Sequence, residues 1–296
     1  MTGPLPRARA GVGELLANAR LEVIPMRGIE EQVLAHLPRG AAVTITCSPR
    51  TGPDPTIALA ERLAGHGYSV LPHLSARTVR SAGHLQEILA RLREARVRGV
   101  FAIGGDGHDP AGPYASAGEL LEAIHSAGDA DLSEIGVAGY PEGHPLIEDE
   151  RLMEALAWKA PLASHVATQI CFDTKAIARW IARIRERGIE LPVFIGMPGA
   201  VKRRKLLEVA LRVGVGPSVR FVSSQGSLVA RLMRRGGYRP DAFLAGATSL
   251  LTDPRLGVRG LHMYSFNQVE TVERWRREIV DMYDVDEANG EADAAS

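Results

Sequence analysis

Eight short apolar runs rich in valine and isoleucine recur along the chain, at residues 21–25, 42–46, 69–74, 100–103, 135–139, 165–170, 192–195 and 261–265. Runs of this kind, with few polar interruptions, fit strands covered on both faces. Between them the period changes. Leu85, Ile88, Leu89 and Leu92 fall at i, i+3, i+4 and i+7. Ile177, Trp180, Ile181 and Ile184 repeat that spacing, as do Leu206, Val209, Ala210 and Val213. Each set makes one apolar stripe on a helix. Gly67, Gly99 and Gly188 stand near the starts of the following strands, where a helix has to stop and the chain has to turn.

Strict alternation of strand and helix implies a parallel sheet. Eight units favour closure into a (β/α)8 TIM barrel over an open doubly wound sheet. The segment 216–259 is too long for one crossover and is expected to add helices between strands 7 and 8. Residues 1–20 are expected to form a preceding arm or helix, 21–283 a single catalytic barrel, and 284–296 an acidic, disordered tail.

Composition narrows the function classes. The chain has 296 residues, 45% of them hydrophobic, enough to bury a large core. Lysine plus arginine balances aspartate plus glutamate at 35 each, so there is no global electrostatic case for nucleic acid or an anionic membrane surface. The local run Lys202, Arg203, Arg204 and Lys205 reads as a solvated helix face. Two cysteines, Cys47 and Cys171, form neither a disulfide framework nor a metal knuckle, which fits a reducing compartment. Residues 1–20 lack an uninterrupted apolar segment, and no run approaches the length of a membrane span. The expectation is a soluble, cytoplasmic protein with no membrane partner and no metal site.

In such barrels the chemistry sits at the C-terminal ends of the strands and in the loops after them. That rule singles out polar residues on otherwise apolar runs: Glu22, Thr44, His73, Asp106, Tyr140, Glu142, His144 and Gln169. Each alone could fill a barrel layer or satisfy a backbone group. Glu22 is the most informative, because a carboxylate on a barrel strand is costly to bury without a partner or a task. Burial would make it a proton donor; the structural alternative is an ion pair with a neighbouring cation. Gly104-Gly105-Asp106-Gly107 resembles a nucleotide-site motif of some kinases, but those continue with threonine where this chain has His108. Its position after a strand better suits a loop whose backbone approaches a ligand. A metal-dependent hydrolase would place a His-x-His pair after the first strand, where this chain has Glu22-Val23-Ile24.

Taken in order, these segments resemble the methylenetetrahydrofolate reductase family from about Leu21 to Asn267. The family's Phe-Glu-Phe-Phe-Pro strand is similar to Leu21-Glu22-Val23-Ile24-Pro25, and its Ala-Tyr-Pro-Glu-x-His-Pro segment to Gly139-Tyr140-Pro141-Glu142-Gly143-His144-Pro145. Its Thr-Gln-Phe-Phe-Phe-Asp segment is similar to Thr168-Gln169-Ile170-Cys171-Phe172-Asp173, and its last strand to His262-Met263-Tyr264-Ser265-Phe266-Asn267. The resemblance implies reduction of 5,10-methylenetetrahydrofolate to 5-methyltetrahydrofolate, with NADH or NADPH as co-substrate and FAD at the barrel mouth. It implies Glu22 and Asp106 as catalytic residues, with Asp106 and Gln169 meeting the folate. Cofactor contacts fall on Thr44, His73, Gly105, Asp106, Ala115, Tyr140, His144 and Lys159. Members of the family often form homo-oligomers. The chain departs from the pattern where the family's loop arginine is Gly104, its second-strand tyrosine is Ile45 and its last arginine is Gln268. Two alternatives stay open: direct hydride transfer without flavin, and a non-catalytic folate- or flavin-binding relative.

Overall fold

The apolar runs become the staves of one closed sheet. The computed structural model describes residues 6–106, 109–128, 132–202 and 238–294. Its strands are β1 (Arg20–Val23), β2 (Ala42–Ile45), β3 (Ser69–Ser75), β4 (Gly99–Ile103), β5 (Glu134–Gly139), β6 (His165–Thr168), β7 (Val193–Pro198) and β8 (Val258–Tyr264). They pair in chain order, all parallel, and β8 closes on β1 with Arg20 opposite His262 and Glu22 opposite Tyr264. This is the (β/α)8 barrel that the alternation predicted, with strand bounds within a few residues of the apolar runs.

The helices lie outside. They are α1 (Pro6–Ala17), α2 (Ile29–His36), α3 (Asp54–Gly65), α4 (Ala82–Glu94), α5 (Ala117–Ser126), α6 (Asp149–Lys159), α7 (Thr174–Glu186), α8 (Asp241–Thr252) and α9 (Val269–Ala294). The predicted stripes are the buried faces: Leu85, Ile88, Leu89 and Leu92 on α4, and Ile177, Trp180, Ile181 and Ile184 on α7. Asp173 starts α7 by accepting hydrogen bonds from the amides of Lys175 and Ala176. Among the described residues, α8 and a 3-10 turn at Pro254–Leu256 lie between β7 and β8, as expected in kind. The stripe from Leu206 to Val213, most of the basic run and residues 216–237 fall outside the described residues. No helix among the described residues is long and apolar enough to cross a membrane.

Of the arm or helix expected at residues 1–20, residues 6–17 take the helical form and pack against α9. α1 buries Val12 and Leu16, and Arg276 of α9 donates to the carbonyls of Leu16 and Ala17. α9 then runs on to Ala294, through most of the segment expected to be disordered. Once packing has nucleated a helix, alanine and glutamate extend it at little cost.

The barrel interior has an apolar middle and polar ends. Leu71, Phe101 and Ala167 form its centre, with Ile103, Ala138 and Phe194 packed against them. Gly260 makes this possible, since a Cβ there would lie 2.3 Å from the Phe194 ring. At the N-terminal end Arg20 and Glu134 form an ion pair, with the Arg20 guanidinium 4.9 Å from the Phe194 centroid. His165 sits against Phe194, its Nδ1 3.1 Å from Ser164 Oγ. Burial, with Arg20 and His262 adding, pushes His165 down to about 3. Glu134 lies 3.7 Å away, but its charge is already matched by Arg20.

His165 is therefore neutral at pH 7. An unfolded histidine titrates near 6.5, so between that pH and about 3 the unfolded chain takes up a proton that the barrel refuses. Stability should rise with pH through this window and fall on acidification. His165→Phe should flatten that fall, by up to about 1.4 kcal/mol per pH unit. Urea unfolding midpoints between pH 7 and 4.5 check this; parallel slopes for the two proteins would contradict it.

Candidate active site

Alternation along β1 turns Arg20 and Glu22 into the barrel, and two strands supply partners for the Glu22 carboxylate. Its Oε2 lies 3.0 Å from His262 Nε2 and 3.7 Å from His73 Nε2. The first is a hydrogen bond and the second is too long to be one. The Glu22 side chain is largely buried, and His262 is 2% exposed, so the contact is screened from water. His73 stacks on Phe101 with centroids 4.7 Å apart, and burial drives it down to about 4 against the pull of Glu22. It is a neutral ring at pH 7. His73 Nε2, Thr44 Oγ1 and Ser75 Oγ are buried without hydrogen-bond partners. Thr44 is the register partner of Glu22. Buried polar atoms are rarely left unmatched, so this cluster points to a place that water or a ligand completes.

The turn after β8 fixes the end of β1. Ser265 Oγ donates to the Glu22 carbonyl, and the Asn267 side chain bridges both backbone groups of Ile24, at 2.8 and 2.9 Å. Phe266 and Asn267 take φ of 49° and 58° to do so. Left-handed backbone is costly for a bulky residue and persists where the surroundings over-determine it.

Around the mouth the aromatic residues face the acids. Tyr264 donates to the Thr168 carbonyl at 3.2 Å; burial raises its phenol well above the ordinary value, and Glu22 and Tyr140 add to the rise. Tyr140 is itself raised by burial and by Asp106. Its ring meets His144 edge-on at 5.3 Å. Gly105 turns with φ 92°, and a Cβ there would meet Ser75 Oγ at 2.2 Å. This close approach carries Asp106 to an exposed position after β4.

The remaining expected residues stand apart. Gln169 is exposed, and its Oε1 accepts from the Ile170 amide at 2.8 Å. The Ala115 amide donates to Glu119 Oε2 at 2.6 Å, within the capping box that opens α5. Lys159 ends α6; burial lowers it to about 8, and it has no hydrogen bond or ion pair among the described residues. The sequence reading named neither His262, Tyr264, Ser75 nor Asn267 as a site residue. The alternation of Leu261, His262, Met263 and Tyr264 on β8 was the available signal for the first two.

Asn267→Ala removes two backbone hydrogen bonds and leaves a non-glycine residue in the left-handed region. A loss of about 1–3 kcal/mol is expected, read by thermal or urea unfolding. Unchanged stability would mean that the turn holds β1 without this clamp.

Residues 29–211, more than half of the chain, match the family model described as Methylenetetrahydrofolate reductase. Methylenetetrahydrofolate reductase 1 of Schizosaccharomyces pombe is 28% identical over 133 residues, covering 42% of this chain and 22% of that protein. Methylenetetrahydrofolate reductase (NADH) 1 of Arabidopsis thaliana is 29% identical over 131 residues, covering 38% of this chain and 22% of that protein. The chain thus spans less than a quarter of the length of either relative.

Proposed function

The chain belongs to the methylenetetrahydrofolate reductase family, and on that premise we propose that it reduces 5,10-methylenetetrahydrofolate to 5-methyltetrahydrofolate with NADH or NADPH. NADH is the nucleotide in the Arabidopsis relative's name. The observation that carries the reading is an acid inside the barrel mouth, Glu22, bonded to His262 and ringed by unmatched polar atoms. The two cysteines are free, in keeping with a cytoplasmic setting.

The chemistry needs a proton before it needs a hydride. The bridging methylene must leave one folate nitrogen, and that nitrogen must be protonated to depart. Glu22 supplies this proton: Oε2 is engaged by His262, while Oε1 has no partner among the described residues. The carbon–nitrogen bond breaks with its electron pair on the departing nitrogen, and the methylene is left as an iminium on the other. Hydride addition to that carbon gives the methyl group. Asp106, exposed on the glycine turn, places negative charge near the cationic intermediate. Gln169 retains amide donors to meet the pterin once its side chain swings off the Ile170 amide.

FAD, where bound, would relay the hydride from nicotinamide to folate. The chain provides unevenly for it. On this reading Thr44, His73, Gly105, Tyr140 and His144 would hold its ring system. One expected contact does not fit a phosphate: the Ala115 amide is already capped by the Glu119 carboxylate. A carboxylate on the amides of a helix start opposes an anion there. This favours a second reading, in which hydride passes directly from nicotinamide to folate.

Glu22→Gln keeps size and hydrogen bonding and removes the transferable proton. Folate turnover should fall on the order of a hundredfold or more while folate affinity stays within a few-fold. Steady-state kinetics with equilibrium binding check this, and unchanged turnover would remove Glu22 from the mechanism. For the flavin, the visible spectrum of purified protein and an FAD titration decide between the readings. Turnover with no retained or titratable flavin supports direct transfer; a stoichiometric flavin whose removal abolishes turnover overturns it.

A further inference from the structure

We propose that His262 is the hydrogen-bond partner of Glu22, a positioning residue that holds the acid in place and stabilises the carboxylate it leaves. The inference rests on the proposed reductase reading and deepens it. His262 Nε2 and Glu22 Oε2 are 3.0 Å apart, and the imidazole is 2% exposed. Phe101 lies against the ring at 6.1 Å and Tyr264 at 5.0 Å, which fixes its plane. His73 stays 3.7 Å from the same oxygen, outside hydrogen-bond range. One proton therefore bridges Glu22 and His262. Either the acid donates to the imidazole or the imidazole donates to the carboxylate.

That geometry suits both halves of the acid's task. When Glu22 gives its proton to the folate nitrogen, it is left as a carboxylate in a poorly hydrated site. In the tautomer with its proton on Nε2, His262 donates to Oε2 throughout, holding the acid while the transferable proton is on Oε1 and stabilising the carboxylate once that proton has gone. A proton from solvent returns to the pair and restores the starting state. The electrons come from the reduced nicotinamide, so no further oxidant or reductant is needed. The charged and titratable groups facing the pair are His73 on β3, Tyr264 on β8, His165 on β6 and Tyr140 after β5. Arg20 on β1, matched by Glu134 of β5, and Asp106 beyond Tyr140 complete the set. Among the described residues none of these is hydrogen-bonded to the Glu22 carboxylate, whereas His262 is.

His262→Gln retains a donor but not the titrating ring. Turnover near neutral pH should fall roughly 10- to 100-fold, with the folate KM within about threefold. Wild-type turnover in His262→Gln, beside an impaired Glu22→Gln, would overturn the role of His262 and leave the reductase reading standing. Ring-nitrogen NMR tests the pairing without relying on activity or on His262→Gln folding. The assigned His262 Nε2–H signal should lie downfield and protected in wild type and lose both features in Glu22→Leu, which keeps the size but removes the acceptor. An unmoved signal would overturn the proposal; a moved signal with no folate turnover in the wild type would sink the reductase reading and leave the pairing intact.

Discussion

A carboxylate inside a barrel has to be compensated, and that requirement organises the upper half of this molecule. Glu22 meets it through one imidazole at hydrogen-bond distance and a second just beyond. The first arrives only because β8 closes on β1, so the site exists only when the barrel is complete. The same closing strand continues into Ser265 and Asn267, which tie down the backbone on either side of Val23. The acid, its partner and its anchor thus come from two segments about 240 residues apart, joined by one sheet contact.

The lower half answers a different constraint. Arg20 and Glu134 neutralise each other below the aromatic layer, and His165 is kept uncharged between Phe101 and Phe194. This floor separates the site's protons from the far end of the barrel. Polar ends around an apolar centre let one fold hold a rigid core and a reactive mouth a few residues apart on the same strands.

Legibility in the sequence followed locality. Strands and helices were readable because their signals lie within a dozen residues: unbroken apolar runs, and stripes such as Leu85 to Leu92. Glu22 was readable because a charge within Leu21-Glu22-Val23 breaks a local pattern. His262 was not, because its importance depends on a partner at the other end of the chain. Ala115 was taken for a cofactor contact, although the Ser116 and Glu119 spacing of a capping box already claimed its neighbourhood. Composition alone also says nothing of the helix α9 that the acidic tail continues.

The central claim is that Glu22 and His262 act as one unit. A double-variant cycle measures that directly, with folate turnover compared in wild type, Glu22→Gln, His262→Gln and the doubly substituted protein. The account predicts that the double variant is no slower than Glu22→Gln alone, since His262 has nothing to act through once the acid is gone. Defects that multiply to their full product would contradict it and make the two side chains independent.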